Sequence, residues 1–168
     1  LKLRPKGAAA APRAAAMDAR ILPEAEGRPE LQALVAQAQE LSSRCFGKGF
    51  SLQGLAGFRH LTLAADAAGA RALGFCLYYL ARNDGMHGEE WMLWIEQLAV
   101  AEDCRMRGLG RQLVGWAAAE AARGGCAALR LTTVPGAWGF YQALGFSLSV
   151  VGGGGNCRLE RRLRPAAA

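Results

Sequence analysis

The feature that most constrains the fold is the segment 105–110, which reads Arg-Met-Arg-Gly-Leu-Gly and is called the glycine loop below. It follows an apolar run over residues 91–100 and leads into a helix-like stretch over residues 109–123. Glycines let a backbone approach an anion closely, and the first turn of a helix points free N–H groups at it. The strand, turn and helix start therefore predict a phosphate-binding loop.

Length and charge favour one globular domain. The 168 residues suffice for one substantial core, and we expect a single domain over residues 18–164. Residues 1–17 form a basic extension rich in Ala, Pro and Arg, which we interpret as a flexible tail or a targeting remnant. Four basic residues of the extension account for most of the net charge of +6. The domain shows neither a basic stripe with aromatics nor a bilayer-length apolar run, so nucleic-acid and membrane partners are not expected.

The cysteine pattern does not indicate a disulfide framework or a metal site. The five cysteines are odd in number and widely spaced, and no C-x-x-C occurs. The two histidines leave no Cys/His cluster with metal-ligand spacing. We expect no metal and an intracellular location, which is cytoplasmic or, if the extension is a transit remnant, plastid or mitochondrial.

The hydrophobic pattern predicts an α+β fold. Predicted strands cover residues 18–23, 58–65, 72–81, 90–100, 128–134, 146–151 and 157–163, and predicted helices cover 28–41, 109–123 and 137–144. Short turns make the three middle strands an antiparallel meander, and the strand–helix–strand unit that follows predicts one parallel pair. We therefore expect a mixed, mostly antiparallel central sheet with helices on both faces.

Two common nucleotide-binding loops do not match the glycine loop. A dinucleotide fingerprint needs a third glycine three positions after Gly110, where Leu113 stands. A Walker A loop needs Gly-Lys-Ser/Thr, which is absent.

Three motifs together resemble the GCN5-related N-acetyltransferase (GNAT) family. Residues 95–100 (Ile-Glu-Gln-Leu-Ala-Val) are similar to the family's strand, the glycine loop to its Arg-x-x-Gly-x-Gly signature, and residues 140–146 (Phe-Tyr-Gln-Ala-Leu-Gly-Phe) to its downstream Phe-Tyr motif. Their order and spacing follow the family pattern. The resemblance implies the acyl-CoA N-acyltransferase fold and acetyl-CoA as co-substrate.

The resemblance also implies which residues hold acetyl-CoA. Main-chain atoms of Leu98, Ala99 and Val100 would pair with the pantetheine arm as an extra strand does, and the Leu98 N–H would polarise the acetyl carbonyl. Ala137 occupies a family contact position, whereas Val134 stands where many members have Asn. The pyrophosphate would lie on the glycine loop and the first helical turn, which consist of Arg105, Met106, Arg107, Gly108, Leu109, Gly110 and Arg111.

Two side chains are the candidates for proton transfer. Glu96 is expected to be the base, directly or through water, and to share a sheet face with Leu98 because it lies two residues earlier. Its alternative interpretation is a salt-bridged strand carboxylate. Tyr141 matches the family tyrosine and is expected to be the acid for the CoA thiolate. Its alternative interpretation is a core aromatic.

The acceptor amine stays open at this point. Residues 74–79 (Gly-Phe-Cys-Leu-Tyr-Tyr) together with Glu96 are similar to the spermidine/spermine acetyltransferase branch, and Glu89, Glu90 and Glu96 would attract a polyamine. A protein lysine or N-terminal amine, or an arylalkylamine, is a further acceptor class. A non-catalytic acyl-CoA-binding sensor or scaffold is the alternative function, and the sequence does not indicate an oligomeric state.

Overall fold

A twisted sheet forms the centre of the computed structural model, which describes residues 18–51, 59–83, 90–151 and 156–163. Its strands are β1 (Arg20–Leu22), β2 (Arg59–Ala65), β3 (Ala72–Asn83), β4 (Glu90–Val100), β5 (Ala128–Thr133), β6 (Ser147–Val151) and β7 (Cys157–Arg162). The helices are α1 (Gln32–Phe46), α2 (Leu109–Arg123) and α3 (Trp138–Gln142).

The sheet is mixed and mostly antiparallel, as predicted. Its strand order is β1-β2-β3-β4-β5-β7-β6. Among the described strands, β4 and β5 form the one parallel pair, and every other neighbouring pair is antiparallel. The crossover from β4 to β5 runs through α2, so the glycine loop lies at the carboxyl end of β4.

Each face of the sheet carries its own core. On one face α2 packs through Leu113, Val114, Ala117 and Ala121, together with Tyr141 of α3. On the other face α1 packs through Leu34, Val35, Ala38 and Leu41. These spacings place one apolar stripe on each helix, and the prediction of helices on both faces is confirmed.

Several boundaries differ from the predicted ones because prolines and glycines reshape the ends. A 3₁₀ turn at Pro29–Leu31 precedes α1, and a second 3₁₀ turn at Pro135–Ala137 shortens α3 at its start. Gly145 follows α3 with a φ of 84°, which favours glycine and separates α3 from β6. The predicted extension over 1–17, the turn after Asn83 and the glycine run before Asn156 lie outside the described residues.

A β-bulge in β4 was not predicted. Leu77 pairs with Gln97 and Tyr78 pairs with Ile95, so Glu96 is the extra residue on β4. The expectation that Glu96 and Leu98 share a face is therefore wrong. Leu98 packs against the α2 core, whereas Glu96 pairs with Arg59 on the α1 face.

Candidate active site

A cleft opens where β4 and β5 separate. The two strands pair only from Met92 opposite Ala128 to Ile95 opposite Leu131. Beyond that point a cleft of about 310 Å³, called the β4–β5 cleft, lies between them. Its lining comprises Phe46, Ile95, Glu96, Gln97, Leu98, Leu131, Thr132, Thr133, Val134, Ala137, Tyr141 and Asn156.

The main chain of β4 faces this cleft at alternate residues. The Ala101 N–H donates to the Leu73 carbonyl of β3 at 2.9 Å. Because antiparallel hydrogen bonding alternates along a strand, the peptide groups of Leu98 and Val100 point away from β3, towards the cleft. The Val100 carbonyl already accepts from Arg105 Nε at 3.2 Å. The N–H and carbonyl groups of Leu98 and the N–H of Val100 therefore remain as main-chain partners for a ligand.

The start of α2 is an anion-binding arrangement. Gly108 precedes the helix with a φ of 83° and provides no side-chain cap. Within the described part of the chain, no carbonyl or side chain accepts a hydrogen bond from the N–H groups of Leu109, Gly110 and Arg111, and the first such bond is from Gln112 to Gly108. These donors coincide with the positive end of the helix dipole.

A second cleft of about 560 Å³, the loop cleft, lies over these donors. Its lining is Leu98, Val100, Cys104, Arg105, Met106, Gly108, Gly110, Arg111, Ala137, Phe140 and Tyr141. A Cβ atom at Gly110 would lie 3.1 Å from Cζ of Phe140, so a side chain there would crowd the cleft. Leu98, Ala137 and Tyr141 line both clefts, which therefore form one continuous site that includes the anion-binding turn.

Tyr141 occupies the junction of the two clefts. Its ring meets Phe140 and Phe146 edge-on, with centroids 4.9 Å and 5.6 Å away. Only 8% of the residue is exposed. Burial, with a smaller contribution from Cys76, raises the pKa of Tyr141 to about 12. The phenol therefore keeps its proton at neutral pH and is available as a donor.

Glu96 also lines the β4–β5 cleft, away from its junction with the loop cleft. Arg59 Nε contacts Glu96 Oε2 at 2.8 Å, and 29% of the Glu96 side chain is exposed. The neighbouring Gln97 is fixed by Ser42, whose Oγ donates to Gln97 Oε1 at 2.6 Å from the buried side of α1. Glu96 is thus a salt-bridged carboxylate, as its alternative interpretation predicted, and it also lines the cleft.

Aromatic and basic side chains adjoin Glu96 on the α1 face. Tyr79 stacks on Trp94 with centroids 6.1 Å apart, and the Arg158 guanidinium lies 5.3 Å from the centroid of the Trp94 ring. Burial raises the pKa of Tyr79, and the charge of Glu96 raises it further. Sequence analysis did not identify this group, although the Tyr-Tyr pair in β3 was the visible signal.

The described residues contain no group of three or more His, Cys, Asp or Glu side chains arranged to hold a metal ion. None of the described helices is long and apolar enough to cross a membrane.

The sequence profile of the Acetyltransferase (GNAT) family matches residues 31–146. The chain belongs to this family. The matched region runs from the residue before α1 to the end of the Phe-Tyr motif and includes every lining residue of the two clefts except Asn156. Comparison with curated proteins gives no significant match.

Solved structures share the GNAT fold. The structure of the NatC complex bound to Gag peptide and CoA superposes with a TM-score of 0.71 at 17% identity, covering 88% of this chain and 100% of that chain. NAA60 of Arabidopsis thaliana in complex with a bisubstrate analogue gives 0.69 at 13% identity, covering 88% and 99%. The GNAT protein YhbS of Escherichia coli in complex with CoA gives 0.68 at 23% identity, covering 88% and 82%.

Most predicted site residues of this GNAT domain meet at the two clefts. Three do not line them. Ala99 is buried in the α1 core, the side chain of Leu109 is buried in the α2 core, and Arg107 is exposed beside the loop cleft lining. The clefts bring together Glu96, Leu98, Val100, Arg105, Met106, Gly108, Gly110, Arg111, Ala137 and Tyr141.

Proposed function

We propose that this protein is an N-acetyltransferase that moves the acetyl group of acetyl-CoA directly to a primary amine in a ternary complex. The observation that carries the proposal is the position of Glu96, Leu98 and Tyr141 around one cleft. Amide formation from a thioester needs a proton acceptor, a donor for the carbonyl oxygen and a donor for the leaving sulfur at one place.

The residues of both clefts fit the parts of acetyl-CoA. The free N–H groups of the first α2 turn, with Arg105 and Arg111, match a pyrophosphate. The peptide group of Leu98 matches the pantetheine arm, which would add to β4 as a peptide adds to a sheet edge. When bound, acetyl-CoA supplies the activated acetyl group as a thioester.

Glu96 is the proposed proton acceptor. It takes one proton from the acceptor ammonium, directly or through one water, which frees the nitrogen lone pair. A C–N bond then forms at the thioester carbon and the C–S bond breaks. The nitrogen releases its second proton to solvent as the amide forms, and solvent returns a proton to the tyrosine that has protonated the sulfur. Arg59 holds one carboxylate oxygen, and this contact fixes the orientation of the base.

Tyr141 is the proposed proton donor to the leaving sulfur. Its pKa of about 12 means that the donor form is present throughout the neutral range. Its packing between Phe140 and Phe146 fixes the ring. The Leu98 N–H is the proposed donor to the carbonyl oxygen, which gains negative charge during the reaction.

The neighbouring structures support an amine acceptor, since NatC is bound to a peptide and NAA60 to a bisubstrate analogue. The polyamine acceptor has less support. Of the three carboxylates expected to attract a polyamine, only Glu96 lines the cleft; Glu90 is paired with Arg162, and Glu89 lies outside the described residues. A protein amine and a small amine both remain acceptor classes for the same chemistry.

An acetyl-CoA turnover screen tests the proposal. Polyamines, arylalkylamines, free amino acids and peptides are supplied singly, and released CoA thiol is measured together with the mass of the acetylated amine. We expect at least one class to give CoA and product in equal amounts. If acetyl-CoA raises the melting temperature but no amine is acetylated, and Tyr141→Phe leaves that thermal shift unchanged, the protein is instead a non-catalytic acyl-CoA sensor. Absence of any shift would contradict acetyl-CoA binding itself.

A further inference from the structure

Five side chains form a cluster on the α1 face beside the β4–β5 cleft. They come from four strands and are called the acceptor cluster: Arg59, Tyr79, Trp94, Glu96 and Arg158. Arg59 is the register partner of Tyr79, and Tyr79 that of Trp94. Side chains of such partners lie on one face about 5 Å apart, so the cluster is one continuous surface.

Around this cluster the arginines outnumber the carboxylates that pair with them by one. Glu96 pairs with Arg59, Glu160 with Arg130 at 2.6 Å, and Glu90 with Arg162 at 2.7 Å. Among the described residues, no carboxylate lies within salt-bridge distance of Arg158, whose guanidinium contacts the Trp94 ring. The surface is therefore locally cationic at Arg158.

Arg158 is positioned to bind a carboxylate. A guanidinium stacked on an aromatic ring keeps its in-plane N–H donors available, and these match the two oxygens of a carboxylate. Its register partner is Thr132, which lines the β4–β5 cleft. Trp94, beneath the guanidinium, precedes Glu96 by two residues, about 7 Å along the strand.

The hydroxyl of Tyr79 lies among the same charges. Its pKa is raised by burial and by Glu96, while Arg59 and Arg158 act in the opposite direction. Glu96, Arg59 and Arg158 therefore all interact electrostatically with Tyr79, whose ring stacks on Trp94. Glu96 lies about 7 Å from Trp94 along β4, and the Arg158 guanidinium lies 5.3 Å from the centroid of the Trp94 ring. One ligand that carries both an amine and a carboxylate can therefore contact both residues.

Building on the proposed function, we propose that the acceptor is an amine that bears a carboxylate a few bonds from the reacting nitrogen, and that Arg158 binds this carboxylate. A free amino acid has this chemistry, and so does a peptide with an acidic first residue. Arg158 is then a specificity-determining residue that takes no part in proton transfer.

The test compares matched acceptors at saturating acetyl-CoA. Alanine is paired with alaninamide, a peptide starting with Asp is paired with the same peptide starting with Asn, and spermidine is the polycation. We expect the carboxylate member of one pair to have at least a tenfold higher kcat/KM than its amide. Activity limited to the peptide pair assigns the carboxylate to a peptide, and activity on alanine assigns it to a free amino acid.

Variants on β7 supply the residue-level test. Arg158→Gln is expected to raise KM for the preferred acceptor about tenfold with kcat and acetyl-CoA affinity retained, and Arg158→Lys to recover part of the loss. Arg161→Gln is the matched control, because Arg161 pairs with Leu129 of the α2 core and points to the opposite face. Three results would overturn the inference without contradicting the proposed transferase function. They are equal kcat/KM for the acid and the amide of each pair, a preference for spermidine, and a loss of activity in Arg158→Gln that is the same for both members of a pair. Absence of turnover with every amine would overturn the proposed function and this inference together.

Discussion

The donor region and the acceptor cluster are built on different principles. The donor region consists of two short segments, residues 98–111 and 137–141, and its proposed contacts are largely main-chain groups at a strand edge and a helix start. The acceptor cluster consists of side chains on β2, β3, β4 and β7, brought together by sheet register. A main-chain site depends on local backbone shape, whereas a side-chain site depends on which residues occupy aligned positions. The fold can therefore keep one donor while its acceptor changes.

Gly110→Glu gives the largest expected effect and acts on the donor region alone. The new side chain would meet Phe140 and place negative charge over the anion-binding turn. Acetyl-CoA affinity should fall by roughly 100-fold or more, since juxtaposed like charges cost several kcal/mol. Gly115→Glu is the control, because it adds the same charge to the exposed side of α2, where a Cβ meets nothing within 4 Å. Calorimetric titration distinguishes the two, and retained affinity in Gly110→Glu would contradict the placement of the pyrophosphate.

Tyr141→Phe tests the side chain at the junction of the two clefts. Loss of the hydroxyl should lower kcat about 100-fold, which is the typical effect of removing an acid–base group, while acetyl-CoA affinity stays near that of the wild type. Tyr78→Phe is the control, since Tyr78 is equally buried but lies outside both cleft linings. Steady-state kinetics and calorimetry measure both quantities. If the two variants behave alike, Tyr141 is a packing residue.

Glu96→Gln tests whether Glu96 is the proton acceptor on the acceptor side of the site. The amide cannot accept the ammonium proton, so kcat should fall about 30-fold at neutral pH. The loss should shrink as pH rises, because more acceptor then arrives as the free amine. Acetyl-CoA affinity should not change. A pH-independent loss would show that Glu96 acts only through its ion pair with Arg59.

The last prediction concerns alkaline stability and involves two tyrosines of the α2 core. The pKa values of Tyr78 and Tyr141 rise from 10.0 to about 12 in the folded protein because both are buried. Between pH 10 and pH 12 the unfolded chain loses these protons while the folded chain keeps them. The free energy of unfolding should therefore fall as pH rises through this window, by about 2 kcal/mol per tyrosine at its upper end.

Urea unfolding at a series of pH values measures this dependence. The buried thiol of Cys76, whose pKa is raised to about 12, adds a contribution that begins near pH 9. Tyr141→Phe should make the decrease above pH 10 shallower. An unchanged slope in this variant would contradict the burial of the phenol in solution.

The donor region could be predicted from sequence because its signals are local. The glycines of the loop, the apolar strand before it and the helix after it are contiguous, and the structure confirms this strand–turn–helix order. The need for glycine at position 74, in contrast, comes from a neighbouring strand, since a Cβ there would lie 2.7 Å from the Ala99 carbonyl oxygen of β4. The Gly-Phe pair in β3 therefore reflects close packing against β4 and does not by itself indicate an acceptor.

The acceptor cluster could not be predicted because it depends on register. The bulge at Glu96 reverses which residues of β4 face α1, and no residue type in residues 95–100 marks it. Arg158 lies 64 residues after Trp94 in the chain and meets it only after β7 has paired with β5. An inserted residue in a strand and a pairing across distant strands are global features, which a strict period-two pattern misses.

A single-turnover experiment tests the central claim most directly. The protein is mixed with an equimolar amount of isotopically labelled acetyl-CoA and an excess of the preferred amine, and intact protein and small products are followed by mass spectrometry. Direct transfer predicts label on the amine at the rate of CoA release, with the protein mass unchanged throughout. Label that first appears on the protein, or CoA release without a labelled amine, would contradict direct transfer at the cleft between β4 and β5.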